Sequence, residues 1–566
     1  MLKLPAKSRP TRLLRLAAIP YVAMVMIAAP LVSSADEDSE QVADHILAAE
    51  EALEEHRYND AAMQYRQAAE LSESVEVAKT ATRIAYSYGF NDDAIRAARR
   101  WSELDPEDNE ALLYVAQLQL RIGDIREARK SFEVFLDRGE DPVDQQLVRL
   151  IPVLSREDSG NAYELMRQLA KPYKDSPYAH YAVAVLALEA DELEEAGKRA
   201  QIAAELDPEW VQPHLVYARS LLLSGDQEGA IDYTSRLVGD DPDPDPEARL
   251  ELAIMLVSAG RDDDALSQVN QILLEQPYRT DALRLMAIIN FRLDRLDAAR
   301  ADFEDLLESG NYRMDALYYL ARIADRLGEF DDAVRYYAEV TSGTNAVVSQ
   351  SRAAGILTQQ GEAEKALAHL DRFAERNPSY AVDMLRTKAR VLVSLERYDE
   401  ALEQFDKAVA YRPDEEGLYL SRAELLLSMD RISDAIGQYR MAVKRWPESA
   451  LSLNALGYTL ADRTDQYDEA ERLIRKALRK EPDSAAIIDS WGWVLYKQGK
   501  NDEALEYLEQ AYEKLRDPEV AAHIVEVLWA LERKIEAVAA LEEAEALFPE
   551  DEMLTKLRAR LMPEAP

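Results

Sequence analysis

The stretch Tyr398-Asp399-Glu400-Ala401, with Phe405 and Ala408 following it, decides how the chain folds. Variants of the phrase recur along the sequence. Its alanine falls at Ala61, Ala94, Ala128, Ala162, Ala196, Ala230, Ala265, Ala299, Ala333, Ala366, Ala401, Ala435, Ala470, Ala504 and Ala537. The intervals are 34 residues eight times, 33 three times and 35 three times. Four residues after the alanine stands a large side chain, as at Tyr65, Phe132, Phe303, Tyr337, Phe405, Tyr439 or Leu508. Three further on comes a small one, as at Ala68, Ala408, Ala442, Ala477 or Ala511. Positions i, i+4 and i+7 share one face of a helix. Twelve residues before the alanine another small residue recurs, at Ala321, Ala389, Ala423 and Gly492, where a preceding helix must cross closely. Each period therefore reads as two antiparallel helices. Prolines such as Pro106, Pro208, Pro413, Pro447 and Pro518 punctuate the boundaries, and Asp105-Pro106, Asp207-Pro208 and Asp517-Pro518 read as an N-cap with Pro at the first helical position. No stretch has the alternation of a strand.

Composition narrows the chemistry. Of 566 residues, 48% are hydrophobic and 31% charged, enough to bury a core. Asp and Glu number 107 against 67 Lys and Arg, a formal charge of −40, which excludes a general nucleic-acid binder. There is no cysteine, so disulfides, thiolate metal sites, a Cys nucleophile and a lipid anchor on an N-terminal Cys are excluded. Six histidines without a His-Glu-x-x-His spacing argue against a zinc hydrolase, and neither a Gly-x-Ser-x-Gly elbow nor a phosphate loop is present. We expect no catalytic residue, no metal and no cofactor. His180 and His214 are 34 residues apart and occupy one position in successive units, which reads as helix packing.

The N-terminus reads as an address. Lys3, Lys7, Arg9, Arg12 and Arg15 precede an apolar run from Leu16 to Val32, then Ser33, Ser34 and Ala35. That is the order of a secretory signal peptide, here residues 1–35, cleaved after Ala35. The expected location is the periplasm. The alternative is an uncleaved inner-membrane anchor facing the periplasm, although the run is marginal in length and carries Pro20 and Pro30.

The period resembles that of the tetratricopeptide repeat family. The resemblance implies an all-α superhelix, an α-solenoid of about 15 helix pairs over residues 42–548. A short acidic leader, 36–41, precedes it, and a capping helix and tail, 549–566, follow. The weakest unit spans 143–176, where Pro152 interrupts the first helix. In this family, exposed positions of the first helices line the inner groove. Carried onto this chain, they give a basic set, Arg284, Arg292, Arg322, Arg326, Arg386 and Arg390. They also give a C-terminal set, Asn454, Tyr458, Asp489, Trp493, Tyr496, Lys497, Glu526 and Trp529. The arginines would offer a path to an acidic partner or simply pair with local acids such as Asp281, Asp315 and Asp383. Trp and Tyr beside charges are typical of interface hot spots; Trp491 is expected inside, and Trp493, on another side of the helix, either meets a partner or packs between repeats.

The wording of residues 450–545 is more particular. Asn454-Ala-Leu-Gly-Tyr-Thr-Leu-Ala-Asp-Arg463, Ile488-Asp-Ser-Trp-Gly-Trp-Val-Leu-Tyr496, Asp517-Pro-Glu-Val-Ala-Ala-His523 and Glu526-Val-Leu-Trp529 resemble the large periplasmic tetratricopeptide proteins of gammaproteobacteria. Those include a pseudomonad outer-membrane lipoprotein that activates a carboxyl-terminal processing protease and presents cell-wall hydrolases to it. The resemblance implies a non-catalytic adaptor with that protease and such hydrolases as partners. This chain departs in having no Cys to lipidate. The competing reading is a scaffold for an envelope assembly machine, such as polysaccharide export, pilus or outer-membrane assembly.

Overall fold

A computed structural model of the chain describes residues 37–55, 57–239 and 244–562. The expected signal peptide, 1–35, lies outside the described residues, as do residues 241–243 of the Asp-Pro run 241–246. The described residues form 31 α-helices and one 3-10 turn, Pro378–Tyr380, and contain no strand. No described helix is long and apolar enough to cross a membrane. They fall into two compact units divided between Gln268 and Val269.

The repeat register is met in both units. All fifteen motif alanines lie on the second helix of a pair and have 0% exposure. The large residues four positions on are buried too, with Phe132, Phe303 and Leu508 at 0%. The small partner on the first helix is equally constrained. A Cβ added to Gly492 would lie 2.7 Å from Leu508 Cγ and 3.1 Å from the carbonyl oxygen of Ala504. One added to Gly457 would lie 2.5 Å from Ile474 Cγ1 and 3.2 Å from the Ala470 oxygen. Small residues at the crossing thus let the two backbones approach, and the large residues interlock around it.

Five residues before the motif alanine, the turn between helices takes the left-handed conformation in most described units, with φ of 80° at Gly123, 76° at Gly328 and 81° at Gly499. Asp294, Glu396, Asp430 and Glu532 adopt the same conformation at φ 58–60°, against the preference of a side chain. In the weak unit that position is Glu157, and it is used differently. Its side chain is 2% exposed and receives two hydrogen bonds of 2.7 Å from Arg121 and one of 3.2 Å from Tyr86. Pro152 does not break its helix, which runs Val143–Leu154 with the proline in its last turn. Leu147, Leu150 and Leu154 pack there with Leu165, Met166 and Val183.

Helix ends correct part of the punctuation. Asp517 is an N-cap, accepting from the Glu519 amide at 2.8 Å with Pro518 at the first turn. Asp105 and Asp207 instead close the preceding helices, and the next ones start at Asn109 and Val211. The Asp-Pro pair there sits in a linking turn of four residues, so the cap falls later, on Asp108 in the first case, which accepts from the Glu110 amide. The first described helix, Glu37–Glu54, takes in residues 37–41 of the expected acidic leader. The capping helix spans Glu552–Leu561, with Asp551 as its N-cap.

Candidate functional site

In the second unit, three successive first helices, Ala450–Arg463, Ala485–Lys497 and Pro518–Ala530, carry the whole C-terminal set. With the helix Glu552–Leu561 they enclose an open cleft of about 580 Å³, walled by Tyr458, Asp462, Trp493, His523, Glu526 and Arg560. Neutral and charged groups are tied across it from helix to helix. The Tyr458 hydroxyl donates to Glu519 Oε1 at 2.6 Å. His523 Nδ1 meets Asp489 Oδ1 at 2.9 Å, and its Nε2 lies 3.5 Å from the Tyr458 oxygen. Trp493 stacks on the His523 ring at 3.9 Å and 21°, and its indole N–H donates to Asp462 at 3.2 Å. Lys497 Nζ sits 5.0 Å over the same indole. Glu526 pairs with Arg560. Burial, reinforced by the carboxylate of Glu519, pushes the Tyr458 phenol far up, so it stays a neutral donor.

The structure brings Tyr458, Asp489, Trp493, Tyr496 and Glu526 together, with Tyr496 5.0 Å from the Trp493 ring. Trp529 is not on the cleft wall; its ring lies beside Lys534 at 5.4 Å. Trp493 is a wall of the cleft, not a protruding anchor. It is 4% exposed, and Asp489, at 6%, lies beneath His523. Trp491, 8% exposed, packs perpendicular to Tyr507 on the opposite side of its helix, as the two-residue offset implies. Asn454, one turn before Tyr458, has a shielded Oδ1 with no hydrogen-bond partner. His523, Glu519, Asp462 and Arg560 were not singled out from the sequence. His523 had a signal: it stands 34 residues after Asp489, one residue off the same position of the next unit.

Four of the basic set are engaged by local acids or aromatic rings. Arg284 pairs with Asp315 at 2.6 Å, Arg386 with Glu415 at 2.7 Å and Arg326 with Asp294 at 3.0 Å. Asp281 is claimed by Arg279, which holds its carboxyl below the usual range against the effect of burial. Arg322 lies over Phe291 at 4.7 Å and over the rings of Tyr318 and Tyr319. Arg390 is exposed and donates to Thr387 Oγ1 at 3.3 Å. Local acids therefore satisfy Arg284, Arg326 and Arg386. Arg386 and Arg390 still line an open depression of about 560 Å³ with Asp383 and Glu424.

His180 and His214 are each committed to packing. His180 Nε2 meets the Lys174 carbonyl at 2.8 Å, and His214 Nδ1 meets the Tyr233 hydroxyl at 2.7 Å. Among the described residues no group of three or more His, Asp or Glu is placed to hold a metal.

Tandem helix pairs with an open, polar-edged cleft define a helical-repeat scaffold for binding other proteins. The chain belongs to the tetratricopeptide repeat family, which matches residues 83–143, 285–346, 352–416, 386–450, 420–485 and 490–552, more than half of its length. A second tetratricopeptide repeat match covers 221–289. Over 194 residues the chain is 34% identical to the TPR repeat-containing protein PA4667 of Pseudomonas aeruginosa. That alignment takes in 34% of this chain and 33% of the relative, so the chain spans about a third of the curated relative's length. Among solved structures it is similar to a thermophilic TPR protein of Thermus thermophilus, at 24% identity, 32% of this chain, 96% of that chain and a TM-score of 0.29. It is also similar to yeast Tom70, at 17% identity, 93% of this chain, 95% of that chain and a TM-score of 0.33.

Proposed function

We propose that the chain is a non-catalytic periplasmic adaptor that grips a protein partner in the C-terminal cleft, activates a carboxyl-terminal processing protease and presents cell-wall hydrolases to it. The observation that carries this reading is the cleft itself. Three consecutive units hold indole, phenol, imidazole and carboxylate groups at its wall in fixed geometry, and preorganised aromatic and charged groups give an interface its anchors. The wording of residues 450–545, which resembles periplasmic adaptors, supplies the class of partner. No reaction is assigned to the cluster. The Tyr458 hydroxyl is spent on Glu519, and the His523 ring is stacked under Trp493.

The test uses the tagged full chain in periplasmic extract. The expected eluate contains a serine protease of the carboxyl-terminal processing class, whose cleavage of a hydrolase substrate accelerates when the chain is added. Met553, 45% exposed at the cleft wall, supplies the variant. Met553→Asp should abolish capture while helical circular dichroism is unchanged. Recovery of export or pilus components without the protease, or full capture by the variant, would sink the reading.

A further inference from the structure

A second cavity lies in the first unit and has the opposite character to the chain as a whole. It measures about 620 Å³ and is floored by Ala179, His180 and Val183. Its walls come from second helices and one linking turn. Arg129 projects from Ile125–Asp137, Arg167 from Ser159–Leu169 and Arg199 from Leu193–Leu206, while Lys171 and Lys174 stand in the turn before Pro177. Five cations gather here in a protein with a formal charge of −40.

Three carboxylates face them. Glu164 takes two hydrogen bonds from Arg167, Glu195 pairs with Arg199 at 2.7 Å, and Glu133 lies 3.5 Å from Arg129. Glu164 also accepts from Gln168, and Arg167 with Gln168 holds its carboxyl below the usual range against the effect of burial. The Arg129 Nε is shielded from solvent and has no hydrogen-bond acceptor. Lys171 and Lys174 are exposed, and no acid among the described residues pairs with either side chain.

The repeat supplies an internal comparison. At several equivalent turns the chain places acids: Asp105, Glu107 and Asp108 before Asn109; Asp207 and Glu209 before Val211; Glu481 and Asp483 before Ala485. Where such a turn carries a cation, as Arg279 before Thr280 and Arg412 before Glu416, an acid pairs with it, Asp281 at 2.8 Å and Glu415 at 3.4 Å. Here the turn reads Lys171-Pro172-Tyr173-Lys174 before Asp175. Lys171, two residues past a helix C-terminus, complements that helix's dipole. Lys174 does not; it stands three residues before the N-terminus of Pro177–Glu189, where a cation is unfavourable. Local helix electrostatics leaves Lys174 unexplained, and so does ion pairing.

We infer that this cavity is a docking site for an acidic segment of a protein partner, in which carboxylates are received by Lys171 and Lys174 at the mouth and by the three arginines on the walls. Each guanidinium carries five N–H donors, more than its local acid uses, so the Arg-Glu pairs hold the walls in place while donors remain for the segment. A polypeptide fits better than an isolated anion because the cations are spread over three helices and a turn. Its cations stand on second helices and a linking turn, and the site is independent of the C-terminal cleft and of the reading given to it.

The test is fluorescence anisotropy on the full chain, with a fluorescein-labelled peptide of about twelve residues alternating Glu and Gly, and a Gln–Gly peptide as the uncharged control. At physiological salt the Glu peptide should bind and the Gln peptide should not. Lys171→Glu with Lys174→Glu should weaken binding about tenfold or more. Arg83→Glu with Arg96→Glu, exposed cations elsewhere in the same unit, should change it less than about twofold. Equal losses in the two double variants would reduce the effect to net charge and overturn the site. So would unchanged binding in the lysine variant, or equal binding of the Gln peptide. Displacement of the peptide by micromolar inorganic phosphate would make an isolated oxyanion the ligand and overturn the assignment to a peptide.

Discussion

Replacing Gly492 by Ala and Gly437 by Ala makes the same chemical change at two helical positions of the second unit, with opposite expected signs. In a helix interior, Ala is favoured over Gly by about 1 kcal/mol, because Gly gives up more backbone freedom on folding. At Gly437, in the helix Ile432–Arg445, nothing lies within 4 Å of the new Cβ, so Gly437→Ala should realise that gain. At Gly492 the Cβ would meet Leu508 Cγ at 2.7 Å, Cδ2 at 2.9 Å and the Ala504 carbonyl oxygen at 3.1 Å. The leucine can turn away only by leaving its own buried position, and the backbone oxygen can yield only if the two helices part. Overpacking of this kind costs about 1–3 kcal/mol, so the propensity gain leaves a net loss of about 0–2 kcal/mol. Array unfolding is not all-or-none, so a single global free energy is a poor readout. The measurement is hydrogen exchange of the helices Ala485–Lys497 and Asn501–Lys514, alongside the urea midpoint of the full chain. Gly492→Ala should accelerate exchange in both helices, and Gly437→Ala should slow exchange in its own pair. If Gly492→Ala protects those helices as Gly437→Ala protects its own, the close crossing at the motif alanine is refuted.

Other perturbations follow from the same packing. Burial first, and Arg372 second, lower the His369 pKa from 6.5 to about 4, while its Nε2 lies 2.7 Å from Gln350 Oε1. The unfolded chain therefore takes up this proton below about pH 6.5 and the folded one only near pH 4. Stability should fall through that window by up to about 3 kcal/mol. His369→Gln should remove this part of the acid sensitivity when urea midpoints at pH 7 and 4.5 are compared. Tyr458→Phe deletes the donor to Glu519 and should cost about 1–2 kcal/mol, read as faster exchange in Ala450–Arg463 and Pro518–Ala530. An unchanged exchange pattern would show that the cross-helix bond does not hold the cleft wall. The native protein, weighed by mass spectrometry, should begin at Asp36 in the soluble periplasmic fraction. An intact Met1 in the membrane pellet would mean an anchor.

The sequence by itself determined the repeat, its register and the family. The reason is local: which positions face a neighbouring helix follows from 3.6-residue geometry inside one period, and alanines such as Ala435 and Ala504 announce the crossing because nothing larger fits there. Even the placement of Trp491 and Trp493 on different sides of one helix was legible from their spacing. Tertiary structure alone decided the sites. Arg284 meets Asp315, Arg386 meets Glu415, Trp493 meets Asp462 and Asp489 meets His523 at separations of 31, 29, 31 and 34 residues. Those partnerships depend on how each pair is rotated against the next and on side-chain reach, which a period does not encode. Burial of Trp493 followed from the His523 ring laid over it, and the standing of Lys171 and Lys174 from the acids that the surrounding second helices spend on arginines. A repeat fixes the face on which a residue stands; the neighbouring unit decides whether that residue is left free to bind.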